Sequence, residues 1–183
     1  MNLRKTKIDG LVILKPIIIK DQRGYFIESY NQMIVNKLLD NINFLQDNES
    51  ESSRGVLRGL HFQKPPFTQS KLVRCVKGIV LDVALDLRKS SKTYGQFETT
   101  VLSSENKEQL FVPKGFAHGF IVLSEFAILS YKVDNYYNHE SESGIIWNDP
   151  DLNIDWKINK AEIVISKKDK TLSTFNNFLS PFE

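Results

Sequence analysis

Apolar and polar residues alternate with a period of two over much of the chain, which is the signature of strands with two different faces. The clearest case is residues 79–88. Ile79, Leu81, Val83, Leu85 and Leu87 share one face, and Val80, Asp82, Ala84, Asp86 and Arg88 share the other. Residues 71–76 form a shorter β-branched strand that ends at the turn Lys77-Gly78. The pattern predicts further strands over 96–102, 109–112, 116–123 and 126–135. Between them lie the turn signals Tyr94-Gly95, Ser103-Ser104-Glu105-Asn106, Pro113-Lys114-Gly115 and Ser124-Glu125. A last strand is expected at 162–165. One helix is expected, at 32–39, where Ile34 and Leu38, then Val35 and Leu39, recur four apart. Many short strands at this spacing predict an all-β antiparallel sandwich or barrel with few helices, built as one domain over 1–183.

Composition narrows the functions open to such a fold. The 183 residues include 24 Lys and Arg against 22 Asp and Glu, a net charge of +2. That balance gives no electrostatic footprint for nucleic acid, though it permits a local pocket for a small anion. The lone Cys75 excludes an intrachain disulfide and a cysteine-based zinc site, and reads as a small buried hydrophobe. Residues 1–20 lack a signal-peptide pattern, and no run reaches the ~20 apolar residues of a membrane helix. The expectation is a cytoplasmic protein with no membrane partner. With no glycine-rich strand-to-helix loop, a dinucleotide or P-loop site is not expected either.

Three histidines can be weighed one by one. His139 lies in the polar turn Asn138-His139-Glu140-Ser141 and reads as a surface residue. His118 closes the run Pro113-Lys114-Gly115-Phe116-Ala117-His118, which resembles the second histidine motif of the cupins, a class of small jelly-roll β-barrels. Metal-binding cupins also carry a His-x-His pair and a carboxylate. Here His61 is followed by Phe62 and Gln63, so the pair is missing and acid–base chemistry is favoured over a metal centre.

Further stretches make the resemblance specific. They are Asp21-Gln22-Arg23-Gly24-Tyr25-Phe26-Ile27-Glu28, Gln46-Asp47-Asn48, Arg58-Gly59-Leu60-His61 and Lys71-Leu72-Val73. Asp82 to Arg88, Gly115 to Phe120, Tyr131-Lys132, Tyr136-Tyr137, Trp147-Asn148-Asp149-Pro150 and Ser166-Lys167-Lys168-Asp169 complete the set. In joint order and spacing the chain resembles the dTDP-4-dehydrorhamnose 3,5-epimerases. One departure is Trp156-Lys157, where the family has tryptophan-proline, and it leaves the path of the next segment open.

The resemblance implies inversion at carbons 3 and 5 of a dTDP-4-keto-6-deoxy-hexose. Both carbons flank the ketone, so loss of either proton leaves an enolate, and no cofactor or metal is required. It implies His61 as base, Asp169 as the carboxylate that orients it, and Tyr131 as acid. Read from its pattern alone, Tyr131 shares a strand face with Ala127, Leu129 and Val133 and is a core tyrosine. Lys71 shares a face with Val73 and Cys75; either it is solvated at a barrel rim, or it faces a bound anion. The resemblance favours the second, beside the developing enolate oxygen. Arg58 and His61 have opposite strand parity, and Gly59 between them allows a bulge that aims both inward. Arg23, Glu28, Gln46, Asp47, Asn48, Arg58, His118, Glu142 and Lys167 match substrate-contact positions, and Tyr137 matches an aromatic that stacks on thymine. A homodimer is also implied. The competing functions are a monofunctional epimerase of another keto-sugar nucleotide, a sugar-nucleotide-binding cupin without turnover, and a metal-dependent cupin oxygenase.

Overall fold

The computed structural model describes residues 1–39 and 41–183. Along the chain come β1 (Asn2–Lys5), β2 (Val12–Lys15), β3 (Ile18–Asp21) and β4 (Gly24–Ile27), then α1 (Gln32–Leu38). After the helix follow β5 (Gln46–Ser53), β6 (Val56–Gln63), β7 (Lys71–Lys77), β8 (Ile79–Asp86) and β9 (Phe97–Ser103). The last strands are β10 (Gln109–Val112), β11 (Phe116–Val122), β12 (Phe126–Val133), β13 (Glu142–Gly144) and β14 (Val164–Ile165).

Two sheets face each other, the all-β arrangement the alternation predicts. The first has the order β1-β2-β10-β7-β12-β5, and the second β13-β6-β11-β8-β9, with β14 running parallel beside β6. The hairpin β3–β4 stands apart as a two-stranded sheet of its own. Between the sheets lies an inner cluster that takes Val73, Cys75, Leu110 and Leu129 from the first sheet and Val80, Ala84, Leu102 and Phe120 from the second. The outer face of the second sheet is covered by the C-terminal segment, which packs Ile145, Leu152, Trp156 and Phe182 on Leu81, Val83 and Leu85. The outer face of the first sheet is covered by α1, through Val35 and Leu39 on Leu14, Leu72 and Phe111. Asn31 starts that helix by accepting the Ile34 amide at 3.3 Å.

Because both faces of β8 are covered, its alternation sorts residues between two cores rather than between core and water. Burying each such aliphatic side chain contributes roughly 1.5–3 kcal/mol. A charge there is tolerated only when it is paired. Asp82, on the inner face, is therefore the position to explain.

Three elements differ from expectation. The segment expected as a strand at 162–165 is a 3₁₀ turn at Lys160–Glu162, capped by Asn159, followed by β14 alone. The strand expected to reach residue 88 stops at Asp86, because Arg88 folds back onto the Asp86 carboxylate at 2.8 and 2.9 Å. β5, the sequence QDNESESS, carries no apolar signal at all; it forms because β12 offers a full ladder from Phe126↔Ser53 to Val133↔Gln46. At the departure noted in the sequence, Trp156 is buried and its Nε1 donates to the Trp147 carbonyl at 2.9 Å. Lys157 has φ +59, which a proline ring fixed near −65° could not adopt.

Candidate active site

A cavity of about 550 Å³ opens between the sheets. Tyr131 and Leu129 reach it from β12 and Lys71 from β7, in the first sheet; Arg58 and His61 reach it from β6 and His118 from β11, in the second. Ser166, Lys168 and Asp169 close it from the C-terminal segment that follows β14. A second chamber of about 300 Å³ shares His61, Lys71, Tyr131 and Glu142 with it and adds Gln46, Asn48 and Tyr137.

β6 can aim both Arg58 and His61 inward because it is bulged. Against β11, His61 lies opposite His118 and Arg58 opposite Phe120, so β6 advances three residues where β11 advances two. Gly59 sits in the bulge with φ +132, and a Cβ there would stand 2.5 Å from Gly119 Cα. The two glycines let the strands close over this irregularity.

His61 and Asp169, 108 positions apart, meet at 2.7 Å between Nε2 and Oδ1. Asp169 is 5% exposed and His61 27%, so the carboxylate lies behind the ring and the ring faces the cavity. Burial alone would raise the Asp169 carboxyl. The His61 hydrogen bond and charge, with help from the Gly59 amide and Ser166, hold it below the ordinary carboxylate value. With Nε2 donating to Asp169, Nδ1 is the free ring nitrogen. Tyr131 packs on the inner core and has its phenol raised, mainly by burial and further by Glu142, with Arg58 opposing. It therefore holds its proton at neutral pH. Burial lowers the Lys71 ammonium to about 8, against the opposing pull of Asp82 and Glu142.

Around the second chamber, Glu142 accepts Tyr137 Oη at 2.6 Å and pairs with Lys168. Those two contacts, with the His61 charge, outweigh burial and hold Glu142 below its ordinary value. Arg58 is steadied by its Nε donating to Ser52 Oγ at 3.1 Å. His118 Nε2 donates to both oxygens of Asp82, at 2.9 and 3.0 Å, deep in the barrel. Among the described residues no group of three or more His, Cys, Asp and Glu side chains is placed to hold a metal ion.

A family model for dTDP-4-dehydrorhamnose 3,5-epimerase matches residues 5–177. The chain belongs to that family. It is 47% identical to the dTDP-4-dehydrorhamnose 3,5-epimerase of Escherichia coli K12 over 180 residues, 98% of this chain and 97% of the relative. The crystal structure of the Elizabethkingia anophelis NUHP1 epimerase is 50% identical and superposes with a TM-score of 0.92, covering 97% of each chain. The 3,5-epimerase of Legionella pneumophila Philadelphia 1, solved in complex with dTDP-4-keto-L-rhamnose, is 46% identical with a TM-score of 0.93, covering 97% of this chain and 94% of that one. Epimerases of this family are jelly-roll cupins, and so is this fold.

The cavity and its second chamber bring together most positions the sequence points to: His61, Tyr131, Asp169, Lys71, Arg58, His118, Glu142, Gln46, Asn48 and Tyr137. Four others lie elsewhere. Arg23 is on the detached hairpin, 84% exposed at its side chain and paired with Asp21 at 2.6 Å. Glu28 follows the same hairpin and does not line the cavity. Asp47 alternates outward on β5 and pairs with Lys132 at 2.7 Å. Lys167 is exposed, and its neighbour Lys168 faces the cavity instead. Nothing in a Lys-Lys pair could tell which one turns inward, since that is set by the 3₁₀ turn at Asp169–Thr171. Asp82 does not line the cavity but holds His118, which does; in the sequence it shares a strand face with Asp86 and Arg88, so nothing there sets it apart.

Proposed function

We propose that the chain epimerises carbons 3 and 5 of dTDP-4-dehydro-6-deoxy-D-glucose, giving dTDP-4-dehydro-L-rhamnose. The carrying observation is the pairing of a carboxylate-backed imidazole with a proton-holding phenol across one cavity. His61 belongs to the second sheet and Tyr131 to the first, so they address a bound sugar from opposite walls. Inversion needs that arrangement: a base on one face and an acid on the other.

In this reading His61 Nδ1 takes the proton next to the ketone, and the electron pair moves onto the carbonyl oxygen. The Lys71 ammonium stabilises the enolate oxygen, and Tyr131 Oη returns a proton to carbon from the other face. Asp169 fixes the ring and stabilises the imidazolium. Arg58 and Lys168 supply charge for the diphosphate, while Gln46, Asn48, Glu142 and Tyr137 line the chamber offered to the nucleotide. The chemistry asks for no hydride carrier and no metal.

We further infer one domain over the whole chain, a homodimer and a cytoplasmic enzyme that supplies a deoxysugar nucleotide to cell-surface polysaccharide synthesis. In support, no helix among the described residues is long and apolar enough to cross a membrane. Ile17, Ile19 and Phe26 around the hairpin are each at least 60% exposed, an apolar surface suited to a second copy. In the dimer Arg23 and Glu28 would reach the neighbouring subunit's site.

The test is incubation with dTDP-4-keto-6-deoxyglucose in heavy water. The expected product is the inverted keto-sugar carrying deuterium at carbons 3 and 5. A sugar labelled and inverted at one carbon would make the chain a monofunctional relative. No exchange above the no-protein control would make it a binding module.

A further inference from the structure

Asp82 has no role in the reaction as drawn above, yet it is the group in the barrel with the greatest need of one. It is fully buried, at 0% exposure, on the inner face of β8 between Val80 and Ala84. A carboxylate in that position is costly to bury unless it is compensated. Its hydrogen-bond partner is His118 Nε2, held by both carboxylate oxygens, and His118 itself is only 8% exposed. Two neighbouring strands present this pair: Asp82 lies two positions along the β8–β11 ladder from the register pair His118↔Ala84. Lys71 lines the same cavity as His118, whose ring Asp82 holds at 2.9 Å, so the lysine lies in the field of that carboxylate. The site thus holds two histidine–carboxylate pairs, His61–Asp169 at the mouth and His118–Asp82 at depth, with Lys71 in the same cavity.

We infer that Asp82 is a positioning residue of the epimerisation: it locks His118 with Nε2 toward the barrel wall, leaving Nδ1 for the substrate, and it adds a fixed negative charge behind the cavity that His118 and Lys71 share. The inference rests on reading this cavity as the epimerase site. A neutral Lys71 cannot compensate the enolate charge, so Asp82 governs the rate through a residue it does not touch by hydrogen bond.

The charges around Lys71 set the sign. From β6 it shares the cavity with Arg58 and His61, from β11 with His118, and from β12 with Tyr131. Glu142 of β13, and Lys168 and Asp169 of the C-terminal segment, complete the cavity wall. Its ladder partners Val112 and Val133 are uncharged. Of the acids, Asp82 and Glu142 hold the ammonium up against burial. Removing one of them lets the lysine lose its proton at lower pH.

The experiment is the pH profile of kcat/KM for the parent and for Asp82→Asn, each first shown to unfold cooperatively and to bind dTDP. The alkaline limb is expected to move toward neutrality by roughly one pH unit in the variant, so that the rate deficit deepens as pH rises. A lower melting temperature with an unmoved limb would reduce Asp82 to a structural residue and overturn the inference. An inactive parent would instead remove the epimerase reading, and the inference with it. Should Asp82→Asn not fold, ¹⁵N imidazole NMR of the parent decides. The His118 ring is expected to carry its proton on Nε2, and a bare Nε2 facing Asp82 would overturn the assignment.

Discussion

The proposed division of labour between base and acid would make the two half-reactions separable at single residues. Tyr131→Phe keeps the ring that packs on the inner core and removes only the proton it holds. His61 should still abstract, and the enolate should be reprotonated from the same side. In heavy water the expected result is deuterium in recovered substrate, with full inversion down about 10²–10⁴-fold, the usual worth of a general acid. Inversion at the parent rate would return Tyr131 to the core and place the acid elsewhere. Asp169→Asn leaves a hydrogen-bonding group behind the imidazole but cannot stabilise its charged form. A rate loss of roughly a hundredfold or more is expected, with dTDP affinity nearly unchanged by calorimetry. Lys71 sets the pH behaviour. In the proposed mechanism its ammonium is the working form, and burial has brought it to about 8, so it is charged below that value and neutral above it. The free enzyme should therefore lose kcat/KM as pH rises through about 8.

At the level of elements, the site depends on the irregularity in β6 more than on any regular strand. Gly59→Ala would place a Cβ against the Gly119 backbone at 2.5 Å and force an L residue to hold φ +132. The strain and overpacking should cost about 2–4 kcal/mol together, seen as a melting temperature lowered by roughly 5–15 °C. Activity should fall further than stability explains, because straightening β6 turns either Arg58 or His61 out of the cavity. A variant with the parent's stability and rate would show that the bulge does not set their direction. The possibility of this bulge was legible in the sequence, in the mismatch between the parity of Arg58 and His61 and the glycine between them. The strands β7, β8 and β10 to β12 were legible too, as alternating or short apolar runs bounded by turn signals. β5 was not, because an edge strand facing solvent on one side and a polar chamber on the other needs no apolar residue. The pairing of His61 with Asp169 was legible only through family resemblance, since a contact 108 positions long leaves no local pattern.

For the whole molecule the open question is what covers the hairpin β3–β4. Among the described residues it pairs only with itself, apart from both sheets, and a lone two-stranded hairpin is marginally stable in water. Ile17, Ile19, Tyr25 and Phe26 are 64%, 60%, 56% and 66% exposed, an apolar surface of the kind that marks an interaction site. Between them sits Arg23, a cation that does not line its own subunit's cavity. The proposed second copy would resolve both facts at once, by burying the apolar residues and giving Arg23 and Glu28 a cavity to serve. The parent should therefore sediment at the mass of two chains at micromolar concentration. Ile19→Asp with Phe26→Asp places two charges where that contact would form, and should shift the protein to single chains. The same variant should lose kcat/KM, because each cavity then lacks the cation supplied by its neighbour. Arg23→Ala keeps the apolar contact and should remain a dimer, with KM raised and kcat little changed. If the parent sediments as a single chain with full activity, the hairpin serves no second site, and Arg23 and Glu28 leave the list of substrate contacts.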